Sequence, residues 1–330
     1  MRRRRCLTLL GASLVGTAGC LASGSTDRAE PAGGPDPTSS PTGDPTTGTR
    51  EGGPGSDATG FPPEDDGVDR VVWADEVDDT SGRVALAADV ASTTLPDARA
   101  TFTLHNRSDR RFASNFYDWR VYRREGGRWH RVAPRYVNQP LMHLGPGASH
   151  AWTVRLSSEI PAERGLHAGG TEDVAVRPVG GGEYAFAVGG WFPEQTATPT
   201  HEHKIVHAAR FELDGPELTL EPSDAVRSVE RDGDVVSIEG DGDGDEQREA
   251  TYVLRRAPEA TAPEPLTTEQ AYRRWPLRDA LAHATDGVSE VRLRAPDGTH
   301  PPFGVHADDP LAFAYDGATW LETVEAVADE

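Results

Sequence analysis

The sequence predicts a mainly β protein, a β-sandwich followed by a small α+β unit. Two observations carry this. From about residue 68 to 213 the chain is a series of short apolar/polar alternations of period two, bounded by Gly, Pro, Asn and Asp clusters, which is the signature of half-buried strands. No long helical period interrupts them, and six or seven such strands in about 145 residues favour a sandwich.

The predicted strands are, in order, Val84–Val90, Ala100–Leu104, Tyr117–Val121, Ala151–Leu156, Tyr184–Val188 and Ile205–Leu213. Residues 216–256 add a hairpin extension. There Val226–Glu230 and Val235–Ile238 flank Arg231-Asp232-Gly233-Asp234, and Asp-Gly is a strong hairpin turn. An acidic loop, Glu239–Glu249, leads to a further strand at Ala250–Leu254. After a Pro/Ala-rich linker at 257–265, Thr267 and Gln270 fit a capping box. Ala271, Tyr272, Trp275, Leu277, Ala280, Leu281 and Ala284 then form a helical stripe, kinked or broken by Pro276. Val288–Arg294 reads as a strand, and Leu311–Tyr315 and Thr319–Val327 as a hairpin turning at Asp316-Gly317. The boundaries expected are 67–215 for the sandwich, 216–256 for the extension and 266–330 for the α+β unit. The last is small for an independent core and is expected to pack on the sandwich.

Ahead of the folded part, Arg2-Arg3-Arg4-Arg5 precedes an apolar run, Cys6–Val15, and then Gly16-Thr17-Ala18-Gly19-Cys20. A cationic start, a short apolar stretch and small residues before a cleavage point read as an export signal over 1–19. The run is too short to span a bilayer. Residues 20–66 are poor in large apolar side chains and rich in Gly, Pro, Ser, Thr and Asp. Such a segment cannot bury enough surface to offset its ordering entropy, so a disordered stalk is expected.

The formal net charge is -21. Removing the signal leaves 29 basic and 54 acidic residues, with Lys204 the one lysine. Nucleic acid is excluded as an expected partner, because phosphate binding relies on a basic footprint. With Cys6 in the signal, Cys20 is the one cysteine left, so the mature chain is expected to hold no internal disulfide.

Residues Thr17-Ala18-Gly19-Cys20 resemble the lipobox of prokaryotic lipoproteins, although Thr17 stands where bacteria usually have Leu. The resemblance implies a diacylglyceryl-type lipid on Cys20 and a place on the extracellular face of the cell membrane. Arg4-Arg5 followed by Leu7 resembles a twin-arginine export signal, with Sec export as the alternative. The acidic, lysine-poor composition resembles that of proteins from extremely halophilic archaea. Further on, Ala100–Ser108, Asp118–Tyr122, Gly127-Arg128-Trp129, Leu144–Ser149 and Gly182–Phe186 follow the turn-and-strand grammar of bacterial immunoglobulin-like domains. That likeness covers roughly 83–213 and implies an immunoglobulin-like sandwich serving as a scaffold or adhesion module, with no chemistry of its own.

Among candidate sites, His201-Glu202-His203-Lys204-Ile205-Val206-His207 is the sharpest. On a strand, His201, His203, Ile205 and His207 share one face. His201 and His203 then stand about 6.6 Å apart, close enough to share a metal, with His207 about 13 Å beyond His203 and out of reach. The competing expectation is a polar strand start. The acidic loop does not match the EF-hand spacing from Glu239 or from Asp241. Residues 105–135 hold nine arginines interleaved with aromatics. Arg120, Arg124 and Arg128 are candidates for a ligand or partner surface by forked hydrogen bonding and stacking, the alternative being arginines that coat a sheet whose aromatics point inward. Part of this strip is expected to contact the 216–256 segment, which carries 12 acids and five arginines. Asn106-Arg107-Ser108 is a glycosylation sequon in a turn, where Asn also suits the turn geometry. No Gly-x-Ser-x-Gly elbow, Walker loop or strand-associated Gly-x-Gly-x-x-Gly occurs, and acidic pairs are too abundant to single out a catalytic one.

The expectation is therefore a lipid-anchored, non-enzymatic binding or structural module. It requires no cofactor, and its partners are the membrane, through the lipid, and cell-envelope proteins or glycans. An extracellular solute- or metal-binding protein using His201–His207, or a hydrolase with an unrecognised site, is the alternative.

Overall fold

Strands account for 54% of the described residues and helices for 8%, so the chain is mainly β, as the period-two alternation predicts. The computed structural model describes residues 61–62, 67–77, 83–160, 170–193, 204–242, 244, 248–261, 263–299, 301–305 and 309–326. The predicted signal, Cys20 and almost all of the predicted stalk lie outside the described residues.

The first part of the fold contains β1 (Val68–Trp73), β2 (Val84–Ala88), β3 (Ser92–Thr94), β4 (Ala98–Asn106), β5 (Phe112–Glu125), β6 (Arg128–Ala133), β7 (Met142–Leu144), β8 (Ser149–Leu156), β9 (Asp173–Val176), β10 (Gly182–Trp191) and β11 (Lys204–Asp214). One sheet runs β1-β11-β10-β5-β6, with β3 added to β11 and β7 to β5; the other runs β2-β4-β8-β9. The alternation has a direct consequence. Phe102 and Leu104 of β4 and Trp152 and Val154 of β8 share one buried cluster with Phe186 and Val188 of β10 and Phe211 and Leu213 of β11. Two sheets thus close over one core, a sandwich-like arrangement. Phe102 stacks on Phe186 with ring centroids 4.3 Å apart.

The larger sheet is also covered on its outer face. Trp73, Tyr122 and Trp129 pack there with Ala185, Ala187, Val206 and Ala208, which is why β10 and β11 are buried on both sides. Strands β1, β3, β6, β7 and β9 stand outside the predicted runs. Three of them pair in parallel, β1 and β3 with β11 and β9 with β8, and partners remote in sequence leave no local signal. Strand β5 carries an irregularity as well: Trp119 faces Val188 while Ser114 faces Gly190. Its inward parity therefore changes from Phe112 and Phe116 to Trp119 and Val121. At Gly190 a Cβ would lie 2.3 Å from the Phe112 ring and 2.4 Å from the Ala113 oxygen, so this close approach requires glycine.

The second part holds β12 (Val226–Asp232), β13 (Val235–Gly240), β14 (Glu249–Arg256), β15 (Glu264–Pro265), α1 (Thr268–Tyr272), α2 (Trp275–Ala282), β16 (Glu290–Pro296), β17 (Leu311–Tyr315) and β18 (Ala318–Ala326). All of these strands belong to one sheet, ordered β12-β13-β16-β14-β18-β17-β15. Segments 216–256 and 266–330, set apart in the sequence by a linker, are thus interleaved: β16 inserts between β13 and β14. Val236, Ile238, Tyr252 and Leu254 of the earlier segment share one buried cluster with Leu277, Leu281, Leu293 and Trp320 of the later one. A hairpin with one apolar face cannot bury that face alone, and the helices supply the cover. The capping box at Thr267 and Gln270 is formed on both sides. Pro276 stands in the first turn of α2, so the predicted stripe breaks into two helices at Arg273-Arg274, as a residue without an amide proton dictates.

Candidate functional site

The chemically distinctive region is the seam where α1 meets the larger sheet of the sandwich. On β5, Val121 points into the core, and Arg123, two residues on, carries the same parity to the end of that core. There it meets Glu269, whose side chain is fully buried. Arg123 Nη1 donates to Glu269 Oε1, and the Gly180 amide donates to the same oxygen at 3.2 Å. The Tyr184 hydroxyl lies 3.0 Å from Glu269 Oε1 and 2.8 Å from the Gly180 carbonyl oxygen, its single proton serving one of them at a time. Burial, followed by the charge of Glu269, raises the Tyr184 pKa, while Arg123 opposes the rise. Glycine at 180 is a steric requirement of the seam, since a Cβ there would lie 2.4 Å from the Leu218 amide nitrogen and 3.2 Å from Arg123 Nη1.

Further bonds run alongside. Gln270 Nε2 donates to the Arg131 carbonyl at 3.2 Å, Arg135 Nη1 to the Arg273 carbonyl at 2.7 Å, and the Gly181 amide to the Pro216 carbonyl at 2.8 Å. Glu269 Oε2 and Arg273 Nε and Nη2 are buried and have no hydrogen-bond partner. Burial pushes the Arg273 pKa down to about 10; Glu269 counters this, while the charges of Arg131 and Arg135 add to it.

The arginine strip singled out in the sequence divides between the two faces of β5. Arg120 pairs with Asp118, Nε to Oδ1, at 3.1 Å. With Tyr122, Gly189 and Lys204 these two line a shallow depression on the outer face of the sheet. Arg124 is exposed, pairs with Glu183 at 3.1 Å and lies 5.8 Å from the Trp129 ring centre. Arg128 is exposed just after the Gly126-Gly127 turn. Nearby, Phe61 packs on Trp73 and Tyr122 with ring centroids 4.7 and 4.8 Å away. Most of the aromatics in the strip are buried, so the arginines lie over a covered face. The described pairings of Arg120 and Arg124 are with acids of the sandwich, and the strip's described hydrogen bonds to the C-terminal part run from Arg123, the Arg131 carbonyl and Arg135 to Glu269, Gln270 and Arg273, in 266–330 and not in the expected 216–256 segment. In the sequence, Glu269 is legible only as an unremarkable position inside the capping box.

The remaining sequence candidates are placed as follows. Cys20, His201 and His203 lie outside the described residues. His207 is on β11, buried, with neither ring nitrogen hydrogen-bonded. Asn106 is fully buried. Its Nδ2 donates to the carbonyls of Arg110, Leu144 and Gly145 at 2.7, 2.9 and 3.1 Å, and its Oδ1 accepts from the Ser108 amide and hydroxyl. The nitrogen that would carry a glycan is enclosed in the fold, and the residue acts as a turn clasp. Among the described residues no group of three His, Cys, Asp or Glu side chains is arranged to hold a metal ion, and no helix is long and apolar enough to cross a membrane.

No protein-family model matches the chain, and no curated protein is similar to it at a significant level.

Proposed function

We propose that this chain is an exported lipoprotein of haloarchaeal type, acting as a non-enzymatic binding or structural module at the cell surface. In this reading Cys20 carries the lipid, residues 20–66 form the stalk, and the sandwich-like body is an immunoglobulin-like domain continued by the C-terminal sheet. The proposed partners are the membrane, through the lipid, and proteins or glycans of the cell envelope. The observation that carries the functional part is the use of buried charge. Glu269 is committed to Arg123, Tyr184 and the Gly180 amide, and the buried Glu322 to Tyr252 and, at 2.7 Å, to Arg274. Both clusters tie separate elements together, which is what a rigid scaffold on a tether requires.

The anchor is tested by fractionating cells that express wild type and Cys20→Ser. Wild type should sediment with membranes and the variant should appear in the medium, correctly folded by circular dichroism. Retention of the variant on membranes would refute the lipid anchor. The partner is sought by pull-down from native membranes at high salt.

A further inference from the structure

We propose that the seam contains an oxyanion-binding site built on Arg273, with Arg131 and Arg135 beside it. The starting point is a pair of donors. Arg273 Nε and Nη2 are buried, and nothing accepts from either. Together these N–H groups form one edge of the planar guanidinium, the edge that matches two oxygens of a carboxylate or phosphate group. A buried cation left in this way is unfavourable, so the fold places the edge at a cost that a bound anion would relieve.

Glu269, four residues earlier and on the same side of the helix, does not fill this edge. Its Oε1 is engaged by Arg123 and the Gly180 amide, and its Oε2, buried and unpartnered, makes no hydrogen bond to Arg273. Two further guanidinium groups stand close. Arg131 and Arg135 press electrostatically on Arg273, and each is tied to the same stretch of chain, Arg135 by its guanidinium through the Arg273 carbonyl and Arg131 by its backbone carbonyl through Gln270 Nε2. In a chain of net charge -21, three arginines thus gather beside an unused donor edge. An oxyanion supplies the missing acceptors and adds to the negative charge that Glu269 already places near Arg273. The site would give the binding module a ligand chemistry and so deepens the reading above, but its test is independent of Cys20.

The test uses purified full-length protein titrated with inorganic phosphate at constant ionic strength, with sodium chloride as the balancing salt. Binding is followed by calorimetry and by phosphorus NMR. Wild type should show saturable one-to-one binding, weakened about tenfold or more in Arg273→Gln, as expected for loss of a bidentate charged contact. Arg273→Lys keeps the charge but loses the fork, and should bind nearly as weakly while folding like wild type. Absence of saturable binding in wild type, or equal affinity in wild type and either variant, would overturn the site.

Discussion

His207 shows how strongly a single position can depend on its surroundings. Its imidazole packs edge-on against Phe112, with ring centroids 5.7 Å apart. Burial, with a smaller contribution from Arg70, pushes its pKa down to about 3, against about 6.5 for the free side chain. Between these values the unfolded chain takes up a proton that the folded chain refuses. The contribution of neutral His207 is therefore complete above pH 6.5 and is lost as the pH falls towards 3, by roughly 5 kcal/mol over the whole interval. Denaturant midpoints measured from pH 7.5 to 4.5 should fall steadily, and His207→Phe should flatten that slope. An unchanged slope in the variant would mean that other groups set the acid response. The sequence places His207 on a strand face with Ile205, in line with the parity observed. That this face turns into a dry core could not be read from the segment itself, because its cover comes from β5.

At the scale of the element, the C-terminal sheet shows how charge can be organised by strand register. Arg255 pairs with Glu290 at 2.7 Å and with Glu325 at 3.2 Å; Arg292 pairs with the same two acids, at 3.3 Å to Glu325. The four side chains close an alternating ring across β16, β14 and β18. Val253, fully buried, lies directly across from Arg292 and Thr323, so the ring lies over an apolar residue. The arginines and Glu325 are well exposed to solvent, and such pairs contribute little. Glu290→Gln should cost under about 1 kcal/mol at low salt, and less in molar salt, where the Debye length falls to about 3 Å. A cost that grows with salt would contradict a screened surface ring. Each of these strands is legible locally in the sequence. Their neighbours are not, since β16 inserts between β13 and β14 only after the chain has passed through both helices.

For the whole molecule, the seam at Glu269 makes the sandwich and the C-terminal sheet dependent on each other. Residues 52–330 form one compact unit, and Glu269 is the buried acid through which Arg123 of the sandwich meets α1. Glu269→Ala leaves Arg123, mostly buried itself, without its main partner, and should destabilise the protein by about 3–5 kcal/mol. It should also split a single denaturation transition into two, seen as non-coincident curves for tryptophan fluorescence and far-ultraviolet circular dichroism. One coincident transition in the variant would show that packing alone holds the two parts together. The sequence marks the arginine strip as worth attention and anticipates a contact with the acid-rich 216–256 segment, whereas the buried acid that Arg123 meets is Glu269, in 266–330. It cannot name Glu269, because one acid among 54 is distinguished only by the burial it acquires.

Local patterns by themselves determined the mainly β content, the turns at Asp232-Gly233 and Asp316-Gly317, the capping box at Thr267 and the break before Pro276, since each depends on residues a few positions apart. The same short range carries the N-terminal address proposed to end at Cys20. Tertiary structure alone decided the strand order, the parallel pairings on β11, the enclosure of Asn106, the dry setting of His207 and the meeting of Arg123 with Glu269. These depend on contacts between residues 38 to 146 positions apart, where pairing is selected by the collective burial of whole faces and no short stretch of sequence records the choice.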